Sequence, residues 1–124
     1  MKDIDQLPIF DVQWSATLTA DKQKLLDDIL IFLVKELPLD LALMKQLYHQ
    51  EKHQELKQQI HKLHGALCYC GVPRLKAIVM HLESKLKNNV IDTIPTLLNR
   101  LDNEVKCLME YWTARQLLSP LQKE

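Results

Sequence analysis

Ile60-His-Lys-Leu-His-Gly-Ala-Leu-Cys-Tyr-Cys-Gly-Val-Pro-Arg-Leu75 is the stretch whose reading decides the fold. Leu56, Ile60, Leu63, Leu67 and Cys70 recur at alternating spacings of four and three, the stripe of a helix that buries one face. Gly71 can adopt the left-handed conformation that ends a helix, and Pro73 suits the first turn of the next. So short a turn between two helices makes them an antiparallel hairpin. The chain has only two glycines, Gly65 and Gly71, and both fall in this segment.

Working outward, the next helix carries Leu75, Ile78, Val79, Leu82 and Leu86 toward the core, with Glu83 at the edge of that face and Asn88-Asn89 as its end. A last helix starts around Asp92 to Pro95, with a stripe of Ile94, Leu97, Leu98, Leu101, Val105, Leu108 and Trp112. Upstream, Thr19 is an N-cap for a helix whose apolar positions are Leu25, Leu26, Ile29, Leu30, Leu33 and Leu37. Ile31, Phe32 and Val34 widen its apolar surface, which fits either packing against an N-terminal helix or an exposed docking patch. Pro38 should kink or restart it, and residues 39–48 continue it with Leu43, Met44 and Leu47 inward. Asp11 caps a short helix bearing Val12, Trp14 and Leu18, with Trp14 as a lid on the bundle. Residues 1–10 are an extended lead-in, because Pro8 discourages helix, and residues 119–124 are a polar tail. The expected fold is all-α: a single domain, 1–124, forming an antiparallel four-helix bundle with a short additional N-terminal helix.

Composition limits the function. Lys plus Arg equals Asp plus Glu at 16 each, so no net field draws the domain to nucleic acid or to an anionic membrane. The most apolar run, Ile29 to Val34, is far short of the roughly 20 residues a membrane span needs. Three cysteines, an odd number, with no secretory leader read at the N-terminus, suggest reduced thiols in a cytoplasmic protein. Cys70 and Cys107 are expected in the core, and Cys68 nearer the histidine face.

Two imidazoles, His61 and His64, lie one helical turn apart. At about 100° per residue, His61 sits roughly 150° from the centre of the core stripe and faces solvent, with Gly65 beside it. His64 falls at the boundary, on the side of Lys57 and Cys68. A glycine inside a helix costs about 1 kcal/mol relative to alanine. On an outer face no neighbouring helix requires it, and it clears an approach to the His61 ring. A neutral imidazole with a free lone pair is a suitable nucleophile for phosphoryl transfer, in which positioning matters more than covalent assistance.

His61-Lys-Leu-His-Gly65 resembles the H-x-[LI]-[KH]-G signature of histidine-containing phosphotransfer (HPt) domains. The similarity extends through Gly71-x-Pro73-Arg-Leu75 to Leu82-Glu83, and upstream to Asp11–Trp14, Asp21-x-x-x-Leu25-Leu26 and Leu37-Pro38. It covers roughly residues 9–112 and is greatest to the HPt domain that ends tripartite, BarA-type hybrid sensor kinases. The resemblance implies that His61 accepts a phosphoryl group on Nε2 from a receiver-domain aspartyl phosphate and passes it to the receiver of a response regulator. It implies that Glu83 orients His61 by accepting a hydrogen bond from Nδ1, and that Gly65 lets the receiver close in. His64 stands where the family more often has lysine, so it is a candidate for stabilising phosphate when protonated; Lys57, Lys62 and Arg74 are further sources of charge. No cofactor is implied for the chain itself, since Mg²⁺ belongs to the receiver. A monomer follows, without ATP-binding or autokinase activity, placed in the cytoplasm or at the cytoplasmic end of a membrane-bound sensor kinase.

Two other readings compete. His61, His64 and Cys68 at i, i+3 and i+7, with His81 and Glu83 on the next helix, offer zinc or copper ligands; against this, His61 and Cys68 point away from the core and no CxxC motif exists. A non-catalytic helical adaptor is the other alternative.

Overall fold

The computed structural model describes residues 2–118, and all regular structure among them is helical. Two short segments, α1 (Lys2–Asp5) and α2 (Val12–Ala16), precede four long helices: α3 (Ala20–His49), α4 (His53–Leu67), α5 (Pro73–Lys87) and α6 (Ile94–Leu118). Each long helix packs on the next, and α3 also meets α6, which closes the ring of a four-helix bundle. Short connections keep neighbours antiparallel.

Helix ends follow local chemistry. Asp11 accepts from Trp14 N–H at 3.0 Å and Thr19 from Lys22 N–H at 3.4 Å, capping α2 and α3. These side chains satisfy donors that have no partner within the helix. At the end of α3, Glu51 takes a left-handed conformation (φ 57°); Lys52 N–H then reaches Leu47 C=O and Glu51 N–H reaches Tyr48 C=O. Asn89 (φ 59°) repeats this after α5, with Val90 N–H on Lys85 C=O. Both ends are Schellman closures without glycine. Gly71 (φ 67°) turns the chain between α4 and α5, and Pro73 opens α5 as expected.

The core is a continuous layer of leucine, isoleucine and valine. Leu56, Ile60, Leu63 and Leu67 of α4 meet Leu75, Ile78, Val79 and Leu82 of α5, each at most 3% exposed. At roughly 25 cal/mol per Å² of apolar surface removed from water, this burial is what holds the bundle together. Cys70 belongs to the same layer: burial, then the neighbouring Cys68, pushes its thiol up to about 11, so it stays protonated and packs as a small hydrophobe.

Three expectations need correction. Residues 2–5 form a helical turn, and Ile4 and Phe10 are buried, so the N-terminal segment is folded onto the bundle. Arg74 donates from Nε to Leu7 C=O at 3.0 Å and lies 3.5 Å from the buried Glu104 carboxylate, while Asp11 N–H reaches Gly71 C=O at 2.8 Å. Pro38 does not start a new helix: α3 runs as one element over 30 residues. Pro38 lies on an exposed face, where the carbonyl that loses its partner can bond to water. Leu25 (59% exposed) and Leu43 (41% exposed) face solvent. The core side of α3 is instead Leu26, Leu30, Leu33, Leu37, Leu41, Met44 and Leu47. The polar tail, residues 119–124, lies outside the described residues.

Candidate phosphoryl-transfer site

His61 is held at the middle of α4 by Ile60 and Leu63, which anchor the opposite face of that helix. Its side chain is 77% exposed. His64, one turn later, is only 24% exposed and lies against α5. The tight turn at Gly71 brings α5 back alongside, and Glu83 arrives at the height of both rings. One carboxylate oxygen, Oε2, meets Nδ1 of His61; the other, Oε1, meets Nδ1 of His64 at 2.7 Å.

This bridge determines where the protons are. Burial raises the Glu83 pKa, but hydrogen bonds from His61 and then His64 outweigh it, and the net shift is downward. An ionised carboxylate can only accept. Both rings must therefore carry a proton on Nδ1, and the neutral form of His61 keeps its lone pair on Nε2. That nitrogen belongs to the exposed ring, so a nucleophilic atom is presented to solvent while its partner nitrogen is fixed from behind.

Gly65 follows His64 on the outer surface. A Cβ added there would meet nothing within 4 Å, so packing does not require this glycine. Beside it, between α3 and α4, runs a groove of about 320 Å³ whose lining includes Phe32, Glu36, Asp40, Gln59, Lys62 and Ala66. Phe32 is 65% exposed there. Of the three residues that widen α3, Phe32 thus lines this groove; Ile31 is exposed outside its lining, and Val34 is half-buried. Asp40 has its pKa raised, first by burial and then by Glu36, with Lys62 pulling it back.

Of the residues proposed to supply charge, Lys62 is exposed and lines the groove, and Lys57 is half-buried one turn before His61. Arg74 is not available: Leu7 and Glu104 hold it at the other end of the turn. The bond between His64 and Glu83 is absent from the sequence reading. Its only signal there is the boundary position of His64, which says that the ring is half-covered but not by what.

The geometry does not favour a metal. Cys68 is exposed and donates its thiol to the His64 carbonyl at 3.4 Å, and His81 faces solvent. Among the described residues, no group of three or more histidine, cysteine or acidic side chains is arranged to hold a metal ion. No helix among them is long and apolar enough to cross a membrane.

The family model for the Hpt domain matches residues 28–110, from the first third of α3 through most of α6. The chain belongs to the Hpt domain family. Histidine phosphotransfer within a phosphorelay is the role of such a domain, and receiver domains are its partners. The chain is 33% identical to the sensor protein GacS of Pseudomonas syringae pv. syringae over 97 residues, which cover 78% of the chain and 11% of that protein. It is 30% identical to the sensor histidine kinase GacS of Pseudomonas protegens over 107 residues, covering 82% and 12%. It is 33% identical to the signal transduction histidine-protein kinase BarA of Escherichia coli K12 over 99 residues, covering 77% and 11%. This Hpt domain therefore spans about a tenth of the length of the curated relatives it matches. No solved structure matches it.

Proposed function

We propose that His61 is the phosphoacceptor of this Hpt domain. Nε2 attacks the phosphorus of an aspartyl phosphate on a receiver domain; the N–P bond forms as the P–O bond to the aspartate breaks, and the carboxylate leaves. The reverse sequence on a second receiver passes the group to a response regulator. The observation that carries this reading is the pairing of an exposed ring with a carboxylate bound to its inner nitrogen. Mg²⁺ required for the chemistry is supplied by the acidic site of the receiver, and the domain has neither autokinase activity nor turnover of its own.

Phe32 and the α3–α4 groove form the apolar part of the receiver's footing, with Lys62 available to its acidic side. Gly65 leaves room for the receiver's backbone next to the ring. The domain acts in, or in the service of, a hybrid sensor kinase, on the cytoplasmic side and as a monomeric module; relatives named as sensor histidine kinases support this reading.

The test is incubation with a phosphorylated receiver, followed by mapping of acid-labile phosphate. Label is expected on His61 and none on a His61→Gln variant of unchanged helicity. Label retained by that variant would transfer the role to another residue.

A further inference from the structure

We propose that His64 is a positioning residue, which acts through Glu83 to hold His61 in its reactive tautomer and orientation. This rests on His61 being the phosphoacceptor. Alone, Glu83 would hold the His61 ring only weakly. Its side chain has three rotatable bonds and is 22% exposed, and its partner His61 is mostly in water. A carboxylate–imidazole pair in that setting gains little, because solvent competes for both groups and ordering two flexible side chains costs entropy.

His64 changes that balance. Its ring is three-quarters covered and donates from Nδ1 to Oε1 at 2.7 Å. With Oε1 so anchored, rotation of the carboxylate toward water would break a partly buried hydrogen bond to a charged acceptor, one of the stronger kinds. Oε2 is then left pointing at Nδ1 of His61. Free imidazole in water interconverts readily between its two neutral tautomers, and in the one with the proton on Nε2 the lone pair sits on the inner nitrogen, Nδ1, so the exposed Nε2 cannot attack phosphorus. Glu83 selects the other tautomer, and His64 fixes Glu83.

The same contact bears on how His64 meets phosphate. Its Nδ1 proton is already committed to Glu83 and is not free to donate to a phosphoryl group. Positioning and charge make different demands on a replacement. Asparagine places an amide N–H near the position of Nδ1 but carries no charge, whereas alanine supplies neither.

The experiment is ¹⁵N–¹H NMR of the imidazole nitrogens in the whole chain, without receiver, on wild type, His64→Ala and His64→Asn. Rates of phosphoryl acceptance are measured on the same three proteins. Wild-type His61 is expected in the Nδ1–H form. His64→Ala should mix the tautomers and slow acceptance about three- to tenfold, less than the full worth of one charge-assisted hydrogen bond because the effect on His61 is indirect. His64→Asn should restore both readouts. A His61 tautomer unchanged in His64→Ala, or an asparagine variant as impaired as alanine in both, would overturn the proposal. Because the NMR readout needs no phosphate, a tautomer shift with no label reaching His61 would support the positioning role while refuting the phosphoacceptor reading.

Discussion

The two glycines of this chain sit six residues apart on either side of the end of α4, and the structure puts them to opposite uses. Gly71 is wedged under Trp14: a Cβ there would come within 2.6 Å of Cζ3 and 2.8 Å of Cε3 of the indole, and its φ of +67° is a conformation that side chains disfavour. Its carbonyl also receives the Asp11 amide, so the turn, the N-terminal cap and the aromatic lid are one unit. Gly65 has open space where a side chain would be and ordinary helical surroundings. The first is a glycine that the fold demands. The second weakens a helix and is repaid by nothing inside the molecule, so its reason is sought outside it, in a surface that must come close to His61.

The largest effect expected from breaking this contrast is in Gly71→Ala. The left-handed conformation costs a side chain about 1–2 kcal/mol, and forcing a methyl into the indole adds about 1–3 kcal/mol as overpacking. A loss of about 2–5 kcal/mol should appear in urea denaturation. Part of it should return in a Trp14→Leu background, where the clash is relieved but the backbone strain persists. A loss below about 1 kcal/mol would mean that the turn has room to adjust, and the contrast would fail from this side.

Gly65 should respond in the other direction. Gly65→Ala removes an unfavourable helix residue without any clash, so stability should rise by about 0.5–1 kcal/mol. Gly65→Leu should keep helicity and melting near wild type yet slow phosphoryl acceptance about tenfold or more, equivalent to about 1.4 kcal/mol of transition-state stabilisation. If leucine unfolds the domain instead, Gly65 is a packing residue after all; if it leaves transfer untouched, the approach of a receiver does not pass over it.

These two residues also mark how far the sequence can be read. The spacing of four and three along Leu56–Cys70 reveals which face of α4 is buried, and through it that His61 is outward. The same logic falters on α3, where apolar residues occur on several faces. Period alone cannot rank Leu25 against Leu26 or Leu43 against Met44; only the neighbours, α4 and α6, decide which of each pair is covered. Pro38 misleads for a related reason. A proline's cost depends on whether the carbonyl it strands can find water, and that is set by the exposure of its face. The bridge from Glu83 to two histidines lay beyond local pattern, since it joins residues 19 and 22 positions apart across a hairpin. Periodicity placed Glu83 only at the edge of its helix's buried face, and the family resemblance paired it with one ring, not two.

The smallest effect concerns that carboxylate and sharpens the contrast between site and fold. The pKa of Glu83 is depressed below its ordinary value of 4.5 because the two imidazoles hydrogen-bond the charged form. A group whose pKa is lower folded than unfolded adds stability above the unfolded value and loses it as pH falls through the folded one. The contribution of Glu83 should therefore be complete above about pH 4.5 and disappear in the more acidic range. In acid titrations of stability, Glu83→Gln should lie below wild type near neutral pH, and the gap should close as pH falls through the folded pKa, so the variant lacks that component of the acid limb. His64→Ala should shrink that component by removing one of the two donors, and Gly65→Ala should leave it intact while raising the whole curve. An acid limb identical in Glu83→Gln and wild type would indicate that the bridge is not formed in solution, and with it would go the case that His61 is oriented from behind.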